Sequence, residues 1–243
     1  FLGPTQPPTL SPTVSPSIPP PPTAPTNHPT ESPTASRGAL PTSYVQATFN
    51  VQNAQSVKSP PNDLREAQGL AKNGKLYVFG GFQNGWSVMS KKTYAYTPST
   101  NTWQQMADMP IDGAGTSHMG NADDVNTDNV YLTGGIELSH GGTWISGAYS
   151  SNVVLEYNTA TNKFTKLDPL PNTMGGCVAV VRQGFLHVMG GANVNGGFKK
   201  DLNDHYMLDL YTSGATWVTL APMSQVRNHL GAAIGPDGAV YAI

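Results

Sequence analysis

Ten residues with aromatic, basic or imidazole side chains lie in polar, glycine-rich segments of this 243-residue chain, and they are its candidate binding residues. Aromatic rings in such segments suit stacking on a sugar or anchoring a protein partner, and variable loops on a rigid scaffold are where binding usually resides. A second interpretation is that Trp144 and Tyr149 only fold their own loop over the surface. The ten residues are Arg65, Trp86, His118, His140, Trp144, Tyr149, Phe198, Lys199, Arg227 and His229.

A recurring apolar run that ends in Gly-Gly predicts the elements that position these residues. The glycine pairs are 54 and 56 residues apart, and a fourth run begins at Val240, where the chain ends before its glycines. A period of this size indicates an array of one supersecondary unit that cannot bury its apolar face alone. The three pairs are Gly80-Gly81, Gly134-Gly135 and Gly190-Gly191.

Each repeat is predicted to form four antiparallel strands, which we name a to d from the innermost outward. Strand a is rich in small apolar residues, and a tight turn such as Asn73-Gly74 or Asp237-Gly238 connects it to strand b, the run that ends in Gly-Gly. Six residues separate a large side chain in strand c from an aromatic one in strand d, which suits sheets that pack on their neighbours. These pairs are Tyr96 and Trp103, Tyr157 and Phe164, and Leu210 and Trp217.

This pattern of an apolar run, Gly-Gly, a tyrosine and a tryptophan seven positions later resembles the kelch repeat, and it covers about residues 62–243. The departures, Phe164 for Trp and Leu210 for Tyr, keep apolar bulk. The resemblance implies an all-β fold, a partial kelch-type β-propeller of about three and a half four-stranded blades. Such propellers close with about five to seven blades, so we expect the sequence to be a fragment of a longer protein. The predicted blades are 62–111, 112–172, 173–223 and a partial 224–243.

In this architecture the b–c loops and the d–a loops emerge on one face, and we expect that face to carry the binding site. The predicted function is non-enzymatic recognition of a protein or glycan, with no cofactor and no catalytic or metal-binding residue assigned. The alternative is a fragment of a secreted carbohydrate-active enzyme, either a copper radical oxidase of the galactose oxidase type or a kelch-type sugar epimerase or mutarotase. A third possibility is an intracellular adaptor. The long b–c loops are predicted at 82–92, 136–152 and 192–204.

The residues that could bind metal give little support to metal chemistry. Galactose oxidase-like propellers bind copper with two histidines and two tyrosines, one of them crosslinked to a cysteine, but Cys177 begins an apolar strand and reads as a small buried residue. Asp124 to Asp128 imitates the start of a calcium loop, whose later positions then fail to match. His187, at a position that holds tyrosine in the sister repeats, and His205 are predicted to fill the core or an interface.

The N-terminal 43 residues differ in composition from the rest. Residues 1–41 hold 13 of the 21 prolines, together with many threonines and serines, and predict a disordered linker or stalk. Such tracts are typical of O-glycosylated extracellular stalks, so we expect an extracellular or cell-surface location, with a cytoplasmic one as the alternative. Residues 44–51 alternate like a strand, and one hypothesis makes them the outer strand of the last blade, while the alternative is a frayed end of the linker.

Charge and hydropathy exclude two classes of partner. The net charge is −2, only 12% of residues are charged, and no basic cluster exceeds Lys91-Lys92 or Lys199-Lys200, which argues against nucleic acid. No apolar run reaches the roughly 20 residues that a membrane-spanning helix needs.

Overall fold

A computed structural model describes residues 57–84, 88–139 and 142–243, except for the side chains of residues 144 and 145. The predicted boundary between residues 43 and 44 and the possible strand 44–51 lie outside the described residues. The elements, in chain order, are β1 (Gln68–Lys72), β2 (Lys75–Phe79), β3 (Phe82–Gln83), β4 (Val88–Met89), β5 (Thr93–Thr97), β6 (Thr102–Gln105), β7 (Thr116–Ser117), β8 (Gly120–Asp123), β9 (Asn129–Thr133), β10 (Ile136–Leu138), the short helix α1 (Trp144–Gly147), β11 (Ala148–Ser150), β12 (Val154–Asn158), β13 (Lys163–Lys166), β14 (Val178–Arg182), β15 (Phe185–Met189), β16 (Ala192–Asn195), β17 (Phe198–Asp201), β18 (His205–Asp209), β19 (Val218–Thr219), β20 (Ala232–Ile234) and β21 (Val240–Ala242).

Three separate four-stranded antiparallel sheets correspond to the three predicted blades. Their strand orders are β1-β2-β5-β6 in blade 1, β8-β9-β12-β13 in blade 2 and β14-β15-β18-β19 in blade 3. A hairpin, β20-β21, follows them as the start of a fourth. Each Gly-Gly run is the second strand of its own sheet, as the repeat predicted, and the fold is that of kelch-type propeller blades.

The innermost strands β1, β8, β14 and β20 lie beside one another in chain order. Small or branched side chains such as Ala122, Ala179 and Ala232 line the space between them, so these strands can approach closely. The tight turns behind these strands have the predicted left-handed residues, with φ of 50° at Asn73 and 73° at Gly74.

The glycine pairs join each blade to the segment that enters the next one. The first glycine of every pair has φ between 63° and 65°, and the second glycine donates its N–H to a carbonyl of the following blade's entry segment. A Cβ on the first glycine of blade 1 or blade 2 would lie closer than 3.0 Å to that same carbonyl. Glycine is therefore required by both conformation and space. The bonds are Gly81 N–H to Thr116 O, 2.8 Å, Gly135 N–H to Met174 O, 2.9 Å, and Gly191 N–H to Arg227 O, 2.7 Å.

The spaced tyrosine and aromatic residue of strands c and d are register partners in two blades. Tyr96 is opposite Trp103, and Tyr157 is opposite Phe164. In blade 3 the β18–β19 register places Met207 opposite Val218, so Leu210 and Trp217 lie just outside the two strands and are not register partners. The c–d connection of blade 3 is looser because Asp209 accepts bonds from Tyr211 N and Thr212 Oγ1 and forms its own turn.

Apolar side chains from facing blades form the core. Tyr77 and Phe79 of blade 1 pack edge-on against Tyr157 of blade 2, with ring centroids 5.9 and 5.7 Å apart. A second cluster joins blade 2, through Tyr131 and Val154, to Leu186 and other residues of blade 3. Edge-to-face aromatic pairs of this kind contribute about 0.5–1.5 kcal/mol each beyond area burial. Packing between neighbouring blades therefore stabilises each of them.

The three b–c segments that were predicted as loops contain strands beyond their glycine pairs. In the first segment β3 pairs with β4. The second and third segments combine with β7 into one five-stranded sheet, ordered β17-β16-β11-β10-β7, that runs between blades 2 and 3. The positive φ of each glycine bends the chain at the end of strand b, and the segment beyond it forms further paired strands. These strands make a wall on the predicted binding face. No helix among the described residues is long and apolar enough to span a bilayer.

Candidate functional site

A cavity of about 280 Å³ opens on the predicted binding face, where the entries of the innermost strands meet the five-stranded sheet. Its volume lies near the lower end of the range for small-molecule sites, about 300–1,000 Å³. Polar side chains come from the strand entries and from Lys199 of β17, and apolar ones come from the sheet and from β3. The lining residues are Glu66, Phe82, His118, Ile136, Gly175, Ala192, Val194, Lys199 and His229.

The polar lining comes from one position that recurs at the entry to each innermost strand. Glu66, His118, Gly176 and His229 occupy it, and all four have left-handed backbone, with φ between 50° and 67°. Gly176 N–H donates to His118 O at 2.7 Å, and His229 N–H donates to Gly176 O at 2.9 Å. This backbone chain links successive entries, and three of the four positions place an ionisable side chain at the cavity.

His118 is the most constrained of these side chains. It is 8% exposed, its Nε2 lies 2.9 Å from Glu66 Oε2, and its Nδ1 lies 2.6 Å from Ser117 Oγ. Burial, together with the nearby His229 and Lys199, lowers the pKa of His118 to about 4. The imidazole is therefore neutral at pH 7, with Nε2–H donating to Glu66, and the single Ser117 hydroxyl hydrogen is shared between His118 Nδ1 and Glu66 O, which lies 3.1 Å from Ser117 Oγ. The Glu66 carboxylate is 40% exposed, so water screens its pull on the imidazole proton.

His229 and Lys199 complete the polar side of the cavity. The His229 ring meets the His118 ring edge to face, with centroids 4.9 Å apart. Asn228 holds both groups, because its Oδ1 contacts His229 Nδ1 and also accepts from Lys199 Nζ at 3.1 Å. Lys199 Nζ also lies 3.5 Å from Asp201. The result is a cluster with one carboxylate, one ammonium and two imidazoles around a single space.

The apolar side of the cavity is one face of the five-stranded sheet. Ile136, Ala192 and Val194 are buried on that face, and Phe82 lies edge-on to the His118 ring with centroids 6.4 Å apart. A wall of this kind excludes water from one side of a ligand while the polar groups fix its orientation.

The opposite face of the same sheet carries two of the predicted aromatic residues. Register aligns Glu137, Tyr149, Asn195 and Phe198 in one row across the sheet. Tyr149 OH donates to Glu137 Oε2 at 3.2 Å, whereas Phe198 is 67% exposed. Burial and the Glu137 charge raise the pKa of Tyr149. The sheet therefore separates Tyr149 and Phe198 from the cavity.

The structure brings together three of the ten sequence-predicted residues, His118, Lys199 and His229. Arg65 and Arg227 are close in sequence to the cavity residues Glu66 and His229, but they do not line the cavity. The guanidinium of Arg65 donates to Asp63 Oδ2, and that of Arg227 donates to Ala242 O. Trp86 and His140 lie outside the described residues. The backbone of Trp144 begins α1, and its side chain is likewise outside the description.

Sequence reasoning missed Glu66 and the apolar wall of Phe82, Ile136 and Val194. Glu66 precedes Gly80 by the same 14 residues that separate Gly176 from Gly190, so alignment of the repeats on their glycines could have found it. The wall residues were predicted to lie in loops, because no feature of their local sequence indicates a sheet between two blades.

Cys177 and Asp124, two of the residues considered for metal binding, have structural roles. The described residues include no group of three or more His, Cys, Asp or Glu that could hold a metal ion. Cys177 is 5% exposed, and burial raises the pKa of its thiol, as expected of a small buried residue. Asp124, fully buried, accepts from Asn126 N at 3.0 Å and Tyr211 OH at 2.6 Å, so it closes a turn and ties two blades together.

Comparison with known proteins agrees with this architecture. Residues 68–110 match the family model described as the Kelch motif. Beta-scruin of Limulus polyphemus is 28% identical over 177 residues, which cover 69% of this chain and 18% of that protein. The N-acetylneuraminate epimerases of two Haemophilus influenzae strains, PittEE and 86-028NP, are each 34% identical over 87 residues, which cover 33% of this chain and 21% of each enzyme.

The solved structure of YjhT matches with a TM-score of 0.60 over 74% of this chain and 59% of that one. Its sequence identity is 19%, so this likeness concerns the fold. The chain spans about a fifth of the length of the curated relatives it matches.

Proposed function

The chain is a kelch-repeat β-propeller protein, and we propose that it is a recognition module whose cavity binds a single sugar residue of a glycan. The observation that carries this proposal is the cluster of Glu66, His118, Lys199 and His229 facing a dry apolar wall. Fold alone does not decide function, since unrelated sites occur on the same scaffold.

The chemistry of the cavity suits a hydroxyl-rich ring. A sugar hydroxyl both donates and accepts hydrogen bonds, and the cavity offers a carboxylate acceptor at Glu66 and an ammonium donor at Lys199. The neutral imidazole of His118 adds no charge that would have to be compensated. The apolar C–H face of a sugar ring would pack against Ile136 and Val194. An extracellular location, which the Ser/Thr/Pro-rich residues 1–41 favour, belongs to the same proposal.

Two adjacent lysines provide a matched test of this proposal. Lys199 faces the cavity, whereas Lys200 follows it on β17 and points to the other side of the sheet. We expect Lys199→Met to weaken sugar binding by about tenfold, the loss of one charge-assisted hydrogen bond, and Lys200→Met to leave it unchanged. Saturation-transfer NMR on a panel of monosaccharides and short glycans selects the ligand, and calorimetry then measures its affinity for both variants.

Two outcomes would contradict the proposal. One is that no glycan of the panel binds the folded chain. The other is that both lysine variants bind equally well, which would place the ligand away from the cavity. A protein partner anchored on the exposed Phe198 would instead be lost in Phe198→Ser and retained in Lys199→Met.

The pair of Glu66 and His118 favours a second candidate, an enzyme that moves protons on a sugar. Glu66 is the group of the cavity that could take a proton from a substrate, because its carboxylate is 40% exposed and is oriented by the His118 imidazole at 2.9 Å. The relatives named as N-acetylneuraminate epimerases are enzymes, and they match over 33% of this chain. An enzyme of this class would interconvert sugar isomers or exchange a ring proton with deuterated water, and both are visible by proton NMR. Under this candidate Glu66→Gln loses turnover and keeps binding, whereas under the recognition proposal the unaltered chain shows no turnover at all.

A further inference from the structure

The face of blade 3 that points away from blade 2 carries two histidines and two methionines in adjacent positions. In the β15–β18 register His187 is opposite Met207, and Met189 is opposite His205. Residues directly opposite in an antiparallel pair point to the same face with Cβ atoms about 5 Å apart. The four side chains therefore form one group, which we call the His-Met patch.

The two imidazoles of the His-Met patch face each other through ring nitrogens. His187 Nδ1 lies 3.1 Å from His205 Nε2. Two nitrogens at this separation, each about 2.0 Å from one ion, subtend an angle of about 100° at the metal, which is within the range of real sites. The His205 ring also hydrogen-bonds the Ala221 backbone, and such a bond to the remaining nitrogen commonly orients a ligating histidine.

We propose that the His-Met patch binds a soft monovalent metal ion, Cu(I), between His187 and His205 with thioether sulfur from Met207 or Met189. Thioether and imidazole ligands select Cu(I), whereas carboxylate and carbonyl oxygen suit harder ions. No carboxylate among the described residues joins the two histidines in a possible metal-binding group. Arg182 lies close enough to act on His187 electrostatically, and its positive charge disfavours a divalent ion more than a monovalent one.

Simple packing is a weaker account of these residue types, as the sister blades show. The positions of His187 and Met189 are held by Tyr77 and Phe79 in blade 1 and by Tyr131 and Thr133 in blade 2. Tyr77 and Phe79 serve their interface by aromatic packing against Tyr157. Blade 3 instead places polar rings next to thioethers on the face that points away from blade 2, with His187 8% exposed and Met189 3% exposed.

The proposal is tested by anaerobic titration of the full chain with Cu(I) against a chromophoric competitor. We expect one equivalent to bind, and copper X-ray absorption to show both nitrogen and sulfur neighbours. His187→Tyr, which restores the residue of the sister repeats, should weaken binding by about 100-fold or more, since it removes a direct ligand. The double variant Met189→Leu, Met207→Leu keeps the side-chain volumes and should remove sulfur from the copper absorption spectrum.

The double variant His118→Asn, His229→Asn removes both histidines of the cavity and leaves the His-Met patch intact. It should bind Cu(I) as the unaltered chain does. Failure of the unaltered, folded chain to bind Cu(I) would overturn the proposal. So would undiminished binding by His187→Tyr, or loss of binding confined to the cavity variant. Because the His-Met patch shares no residue with the cavity, these outcomes are independent of whether the cavity binds a glycan.

Discussion

Gly134→Val is expected to destabilise the folded chain by about 3 kcal/mol or more, well above the effect of a typical point mutation. Gly134 has φ of 63°, and a Cβ there would lie closer than 3.0 Å to Met174 O. That carbonyl accepts the N–H of Gly135, so the blade 2–blade 3 junction has to open to admit a side chain. Urea unfolding followed by circular dichroism measures the loss.

Gly74→Val is the matched control for this prediction. Gly74 has a similar left-handed φ of 73°, but no atom lies within 4 Å of where its Cβ would be. Its cost is that of the backbone conformation alone, about 1–2 kcal/mol. Equal losses in the two variants would show that the close approach to Met174 is not what requires glycine at position 134.

The same glycines explain why the blades could be predicted from the sequence. The period of the Gly-Gly runs and the turn at Asn73-Gly74 are local signals, since each reports a φ or a spacing that few residues tolerate. Strand b ends directly before its glycine pair in all three blades, at Phe79, Thr133 and Met189. The missing register pair at Leu210 has a local cause as well, because Asp209 forms a turn that the spacing of aromatic residues does not reveal.

Most polar residues of the cavity could be predicted from the sequence, whereas its apolar wall could not. His118, Lys199 and His229 could be assigned to one face because strand direction fixes where each connection emerges. The wall of Ile136 and Val194 depends on pairing between β11 and β16, which come from different repeats and whose paired residues, Tyr149 and Asn195, are 46 positions apart. Nothing local to either segment specifies a partner at that distance, so they read as loops. Tyr149 and Phe198 were assigned to the right region, yet the register of this sheet turns them away from the cavity.

The low pKa of His118 makes the free energy of unfolding depend on pH. Between pH 7.5 and pH 5 we expect the chain to lose about 2 kcal/mol more stability than the His118→Asn variant, because folding holds the pKa of this imidazole at about 4. In the unfolded chain the pKa returns to about 6.5, so the unfolded state takes up the proton first and gains free energy as the pH falls. The stabilisation is complete above pH 6.5 and is lost progressively toward pH 4. Asparagine tolerates the left-handed φ of 58° at this position, so the variant is not expected to introduce backbone strain.

Urea unfolding of both proteins at several pH values measures the difference, and nitrogen-15 NMR of the imidazole reports its titration directly. Among the described residues, Glu66 favours the charged ring, Lys199 and His229 oppose it, and Ser117 Oγ lies 2.6 Å from the Nδ1 of His118. If Glu66 prevailed, the folded-state pKa of His118 would rise above 6.5 and the unaltered chain would gain stability relative to the variant as the pH falls. The sign of the difference therefore decides whether burial or the carboxylate sets the charge of the cavity, and with it whether His118 meets a ligand as a neutral hydrogen-bonding group or as a cation.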